Sequence, residues 1–300
     1  MENQKTDIYT RVTDKIIADL EQGVRTWMKP WSADHLSGRI TKPLRHNGTP
    51  YQGMNIILLW AASVAEGYSA PSWMTYRQAK ELGGYVQKGA KGETVVFAST
   101  FDKTETDDAG KEVEVTIPYM KGYTVFNVEQ VEGLPEHYYQ KPEPINPKIK
   151  RDGQLEAFFH ETKADIRHGG DKAYYSPSFD YVQMPHIEVF KDTESYYATL
   201  AHEITHWTRH KDRLNREFTG KRFGDAGYAK EELVAELGAA FLCADLQITP
   251  ETREDHAAYI QHWLKVLKQD KRAIFSAAAH AQRAVDFIKA RQKIQAKAAA

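Results

Sequence analysis

The sequence predicts an α+β protein of two domains, and three observations carry that reading. Its 300 residues exceed a typical single domain and suit two. A proline-rich stretch interrupts it: Pro135, Pro142, Pro144 and Pro147 put four of the 12 prolines between Gly133 and Lys150. Patterning also differs on the two sides, with a small mixed set of helices and strands before the stretch and mostly long helices after it. Because proline fixes φ and removes a backbone donor, 133–150 is expected to be a semi-rigid linker between domains at 1–132 and 151–300.

In the first domain, Ile8, Val12, Ile16 and Leu20 recur at helical spacing, predicting an amphipathic helix that ends near Gly23. The run from Met54 to Ala65 predicts a more buried helix, and SWMTYRQAKEL at 72–82 a third, stopped by Gly83-Gly84. Strands are expected at 85–86, 94–98, 113–117 and 123–128, with the polar run DKTETDDAGKE forming a hairpin loop. After the linker the pattern predicts a helix near 153–162, then short strands at 173–176 and 181–190. A helix capped by Asp192 follows, running to about His210, and further helices are expected at 228–246, 256–268 and 272–293.

Composition excludes several classes. A hydrophobic share of 41% supports real cores, and 40 Lys+Arg against 41 Asp+Glu leaves a net charge of −1, which by itself selects no partner. Cys243 is the single cysteine, so no intrachain disulfide and no Cys-based zinc ribbon can form, which fits a reducing cytosol. The start, MENQKTDIYT, has neither the basic nor the apolar region of a secretory signal. The longest apolar run is far short of a membrane span. A soluble, cytoplasmic protein without a membrane partner is expected.

The segment TLAHEITHW places His202, Glu203 and His206 in an HExxH pattern on the Asp192-capped helix. Residues four apart share a helix face about 6 Å apart, so both imidazoles can grip one ion. Glu203 projects about 100° round the helix, where a carboxylate can take a proton from water at the open metal position. Zinc is the expected ion, with manganese or another divalent ion not excluded. A third protein ligand is needed. The extended pattern HExxHxxGxxH is absent, since Arg209 and Asp212 stand where its Gly and His belong, and His210 is two turns from His202. The helix EELVAELGAAFL instead presents Glu232 and Glu236 on one face. Glu232 is assigned as the ligand and Glu236 as the acid that supports a ligand histidine; the reverse order is the alternative, as is a helix face that is merely solvated. This His/His/Glu set with Glu203 as catalytic base is the arrangement of a zincin-like metallopeptidase.

From Arg25 to Ser99, nine basic residues face four acidic ones, a local charge of +5, interleaved with Trp27, Trp31, Tyr51, Trp60, Trp73 and Tyr76. Rings beside cations suit single-stranded nucleic acid, whose bases stack while Lys and Arg follow the phosphates. Tryptophans also fill cores and scattered cations also face water, so composition leaves both readings open. Trp60, within NIILLWAA, is expected to be buried under either.

The whole chain resembles the ArdC antirestriction family. The matching segments are WMKPW at 27–31, GTPYQGMNIILLW at 48–60, SWMTYRQAKELGGYVQKGAKGE at 72–93 and GYTVFNVEQVEGLP at 122–135, followed by AHEITHW and EELVAELGAAFLC. The resemblance implies a plasmid-encoded protein of conjugation, with a single-stranded-DNA-binding amino-terminal domain and a zincin-like carboxyl domain, that protects incoming DNA from host restriction. It implies single-stranded DNA as a partner; the leading reading is that the zinc domain either cleaves a protein found on that DNA, such as a restriction-complex subunit, or merely binds it. The residues at the family's motif positions are Trp27, Trp31, Arg45, Tyr51, Asn55, Trp73, Tyr76, Arg77, Lys88 and Lys91, and these are taken as the candidate DNA contacts. The alternatives are a DNA-shielding protein whose metal site is structural, and a general DNA-associated protease.

Overall fold

The computed structural model describes residues 7–28, 30, 41–106, 112–141, 152–218, 225–249 and 256–298. It is a two-domain α+β protein whose compact units interleave along the chain. The larger unit comprises Met1–Lys42, Tyr51–Ser69 and Lys141–Ala300; the smaller comprises Pro43–Pro50 and Ala70–Gln140.

In the larger unit, α1 (Ile8–Glu21) buries the stripe Val12, Ile16, Ile17 and Leu20. Its Thr13 Oγ1 donates to the Lys271 carbonyl at 2.6 Å. Helix α2 (Met54–Glu66) is apolar on nearly every side and is buried accordingly from Ile56 to Ser63. It ends at Gly67, whose φ of +77° is the left-handed cap that a side chain would strain. These amino-terminal helices belong to the same unit as the carboxyl-terminal ones, a grouping that spacing along the chain does not reveal.

Four helices build the rest of that core: α5 (Thr193–Trp207), α6 (Ala226–Leu246), α7 (His256–Gln269) and α8 (Ala273–Ala298), with α4 (Asp152–His160) preceding them. Beside them lies a three-stranded sheet in the order β7-β9-β8, from Asp165–His168, Tyr181–Met184 and Tyr174–Ser176. Strand β7 is absent from the sequence expectation: its residues DIRH are mostly exposed, and only its backbone pairing with β9 defines it. Strand β9 stops at Met184 and not at Phe190, because Ile187–Val189 turns into a 3-10 helix.

In the smaller unit, β1 (Leu44–Arg45), β2 (Ser72–Met74), β5 (Glu112–Asn127) and β4 (Glu93–Thr106) form one sheet in that order. A second, two-stranded sheet pairs β3 (Tyr85–Val86) with β6 (Val131–Glu132). The stretch 72–82, expected as a helix, is strand and then helix. Trp73 and Met74 pair with Asn127 and Phe126, and α3 (Tyr76–Glu81) begins only after Thr75. Thr75 accepts from the Gln78 amide while the Gln78 side chain accepts from the Thr75 amide, a capping box that fixes the start. The strands expected at 113–117 and 123–128 are one strand, laddered to β4 from Glu93↔Val125 to Thr106↔Glu112. Backbone pairing also carries β4 past its expected end at Ala98, through the polar residues 102–106 that suggested a loop; 107–111 lie outside the described residues.

Of the expected linker, residues 133–141 are described and belong largely to the smaller unit. Leu134 packs into its core of Ala70, Met74, Ala79, Val128 and Val131. Residues 142–150 lie outside the described residues. Among the described residues no helix is long and apolar enough to cross a membrane.

Candidate metal centre

Helix α5 starts where Asp192 accepts hydrogen bonds from the Ser195 amide at 2.8 Å and from its hydroxyl at 2.6 Å. From Ser195 to Trp207 every residue is buried. Helix α6 packs closely against it: a Cβ on Gly238 would sit 2.5 Å from Thr205 Cγ2, so only glycine allows this approach. Three acids of α6 are thereby carried into the interior, with Glu231 at 2% exposure and Glu232 and Glu236 each at 7%.

Buried carboxylates need partners. Glu231 has two. The Arg216 guanidinium donates to both its oxygens at 2.7 and 2.8 Å, and Nδ1 of His206 lies 3.1 Å from Oε1. Glu236 accepts from Arg25 at 3.0 Å and lies 3.6 Å from Nδ1 of His202. Glu232 differs. Its two oxygens each lie 3.5 Å from an Nε2, one of His202 and one of His206, and among the described residues no Lys or Arg pairs with it. The two Nε2 atoms are 3.2 Å apart. One ligand atom from each of His202, His206 and Glu232 thus falls within 4.8 Å of the others.

This donor set fits a divalent ion. Two imidazoles turn Nε2 towards one point, each has its Nδ1 directed at a separate carboxylate, and a buried carboxylate completes the cluster. The same charges act on protonation. Burial opposes charge on His206, but the Glu232 and Glu231 carboxylates outweigh it and push His206 up to about 10. Burial likewise opposes charge on Glu231, and Arg216 with His206 brings it down to about 2. Burial also works against Glu232, yet the two histidines hold it well below the usual carboxylate range.

Glu203, 3% exposed, lines a cavity of about 690 Å³ together with His202, His206 and Glu232. Tyr174, Tyr175, Tyr228 and Tyr259 form part of its wall, and Arg209 and Lys211 another part. The Tyr228 and Tyr259 hydroxyls are 3.1 Å apart, and burial followed by the charge of Glu232 raises the Tyr228 phenol and keeps it protonated. His210 also lines the cavity but directs Nδ1 to Asp212 at 3.5 Å, outside the ligand cluster. Sequence reasoning did not find Glu231 or Arg216. The doublet Glu231-Glu232 was a faint signal for the first; Arg216, ten residues beyond His206, gave none.

Comparison with known proteins decides the family. Residues 6–126 match the N-terminal domain of the anti-restriction factor ArdC, and residues 153–280 match a zincin-like metallopeptidase. The crystal structure of the antirestriction ArdC protein from plasmid R388, metal-free, is 46% identical with a TM-score of 0.79, covering 95% of this chain and 97% of that one. This chain belongs to the ArdC antirestriction family. The Mn(II)-bound structure of R388 ArdC matches equally, at 46% identity and a TM-score of 0.78 over 95% of this chain and 98% of that one, so an ArdC relative takes a divalent ion. Protein y4eC of Sinorhizobium fredii (strain NBRC 101917 / NGR234) is 45% identical over 293 residues, 96% of this chain and 93% of its own. The DNA primase TraC of Escherichia coli is 35% identical over 310 residues; this chain aligns over 98% of its length but spans only 28% of that primase.

The ArdC motif positions marked for DNA contact are divided between the units: Trp27, Tyr51 and Asn55 lie in the larger, and Arg45, Trp73, Tyr76, Arg77, Lys88 and Lys91 in the smaller. Trp27, at 0% exposure, packs edge-on against Trp263 with ring centroids 5.6 Å apart. Trp73 is 1% exposed and Tyr51 is buried as well. These three rings fill cores and offer no face to a base, a correction to the expectation that they stack. Asn55 is half-buried, whereas Arg45, Tyr76, Arg77, Lys88 and Lys91 are exposed, with Arg77 paired to Glu81 at 2.8 Å. Trp31 lies outside the described residues.

Proposed function

We propose that this ArdC-family chain is a cytoplasmic antirestriction protein that binds single-stranded DNA and hydrolyses a peptide bond, protecting incoming plasmid DNA from host restriction. The observation that supports hydrolysis above all is the placement of a buried carboxylate, Glu203, in one cavity with the His202, His206 and Glu232 cluster. A purely structural metal site has no need of that acid.

His202, His206 and Glu232 would hold the ion, zinc or, as in the R388 relative, manganese. When bound, it supplies Lewis-acid polarisation of the carbonyl and makes water a stronger acid. Glu203 takes the proton from water as it attacks, then delivers it to the departing amine. Tyr228, kept protonated at the cavity wall, offers an O–H donor to the oxygen that becomes negative. The bidentate Arg216–Glu231 pair fixes the His206 ring so that Nε2 faces the cluster. The DNA-binding half of the proposal is supported by the ArdC N-terminal match and by the exposed cations Arg45, Lys88 and Lys91.

Glu203→Ala tests the chemistry. Cleavage of a restriction-complex subunit is expected to fall by at least about 100-fold while one ion per chain is retained. Undiminished cleavage would overturn the assignment of Glu203. If the variant also protects plasmid DNA as well as its parent, proteolysis is not the route of protection, and a DNA shield with a structural metal remains.

A further inference from the structure

The long ribbon of β4 and β5 sorts its side chains by face. Paired residues of an antiparallel ladder point the same way, and alternate residues along each strand share a side. The register Val95↔Tyr123, Phe97↔Lys121, Ser99↔Tyr119, Phe101↔Ile117 and Lys103↔Val115 therefore puts four aromatic rings and two lysines on one face. Asp102 and Glu114 fall on the other, where Asp102 accepts from Thr116 Oγ1 at 2.7 Å. Between Val95 and Lys103 the aromatic face holds no carboxylate; Glu93, two residues before Val95, shares that side at the end of the ladder.

The rings are not core. Phe97, Phe101 and Tyr123 are 49%, 48% and 46% exposed. They are nonetheless in contact as a row: Tyr119 lies 6.4 Å from Phe97 and 5.9 Å from Phe101, and Tyr123 lies 6.5 Å from Phe97. The Lys121 ammonium sits 5.3 Å from the centre of the Tyr119 ring. Three large exposed rings in one row are a patch of the kind that marks an interaction surface.

We infer that this face is a stacking platform for the bases of single-stranded DNA, an inference that rests on the DNA-binding reading above and gives it a surface. Rings supply sequence-tolerant contact, and the lysines among them supply the charge complement of a phosphate chain. The two lysines set among the rings give this face a positive charge that an apolar protein partner would not use and a phosphate chain would. The ring spacing also exceeds the roughly 3.4 Å rise of stacked duplex bases, so it suits a strand whose bases are splayed onto a sheet. A duplex, with its bases stacked on one another, presents no free base faces to such a row. None of these four rings is among the motif positions that the sequence marked for DNA contact.

The test is fluorescence anisotropy of the full chain with a labelled oligothymidylate, at several salt concentrations. Phe97→Ala combined with Phe101→Ala is expected to weaken binding by at least tenfold, with the salt slope unchanged because no counterion contact is lost. Phe97→Trp with Phe101→Trp is expected to restore it, since a larger ring still stacks. Lys121→Gln is expected to reduce the slope of log K against log salt by about 0.7. An abasic oligomer of the same length is expected to bind the parent and the double-alanine variant alike. If the parent binds oligothymidylate and the double-alanine variant binds it equally well, the platform is overturned while DNA binding stands. If the parent does not bind it at all, the DNA reading fails and the platform with it. Unchanged DNA affinity with altered sedimentation would make the stripe a self-association surface, which also overturns the proposal.

Discussion

Glu231 holds His206 from behind: its Oε1 lies 3.1 Å from Nδ1, leaving Nε2 turned to His202 at 3.2 Å. Arg216, itself 3% exposed, fixes Glu231 through both oxygens and donates to the Thr205 carbonyl at 3.0 Å. The orientation of the His206 ring is thus tied to the backbone of its own helix. Glu231→Gln is expected to weaken metal affinity about 10- to 100-fold, measured by competition with a chromophoric chelator. Arg216→Met strands a buried carboxylate and is expected to cost about 3–5 kcal/mol in denaturant unfolding of the metal-free protein. Unaltered affinity in Glu231→Gln would show that the contact does not orient the ligand.

The two acids one turn apart on α6 are expected to behave differently. Glu232 faces both Nε2 atoms, whereas Glu236 faces Nδ1 of His202 and Arg25. Glu232→Ala is therefore expected to abolish stoichiometric metal binding, while Glu236→Gln weakens it only about tenfold. Elemental analysis of dialysed protein distinguishes them, and the opposite ranking would reassign the third ligand.

Gly238 sets how near α6 comes to the ligand helix. In an exposed helix, alanine in place of glycine stabilises by about 1 kcal/mol. Here the new Cβ meets Thr205 Cγ2 at 2.5 Å and Oγ1 at 2.8 Å, and overpacking of this kind costs about 1–3 kcal/mol. Gly238→Ala is expected to lower Tm and loosen metal binding together. In a Thr205→Ala background the same change is expected to be neutral or stabilising. A loss that persists there would mean that contact with Thr205 is not the cause.

Stability in acid is expected to depend on His280. Burial, followed by the charges of Arg283 and Arg216, brings its pKa down from 6.5 to about 4. Between those values the unfolded chain binds a proton that the folded chain refuses, so folding stability falls as pH drops from 6.5 towards 4. His280→Gln is expected to flatten that part of the stability curve, read as Tm against pH. An unchanged curve would place the acid sensitivity elsewhere.

The sequence by itself determined what depends on spacing along one element. HExxH on an Asp192-capped helix puts two imidazoles on one face wherever that helix sits, and the apolar runs of α1 and α2 mark helices without reference to anything they touch. The family resemblance was legible too, because it rests on the order of segments. Tertiary structure decided what depends on approach between elements. Which glutamate of α6 faces the histidines follows from how that helix is turned against α5, a contact set by Gly238 and Thr205. Arg216 reaches Glu231 only through the folded turn after α5. Aromatic exposure was decided the same way: Trp27 and Trp73 are covered by neighbours, while Phe97 and Phe101 lie on a ribbon face that leaves them about half open. Periodicity tells which residues share a side; it does not tell what, if anything, is packed against that side.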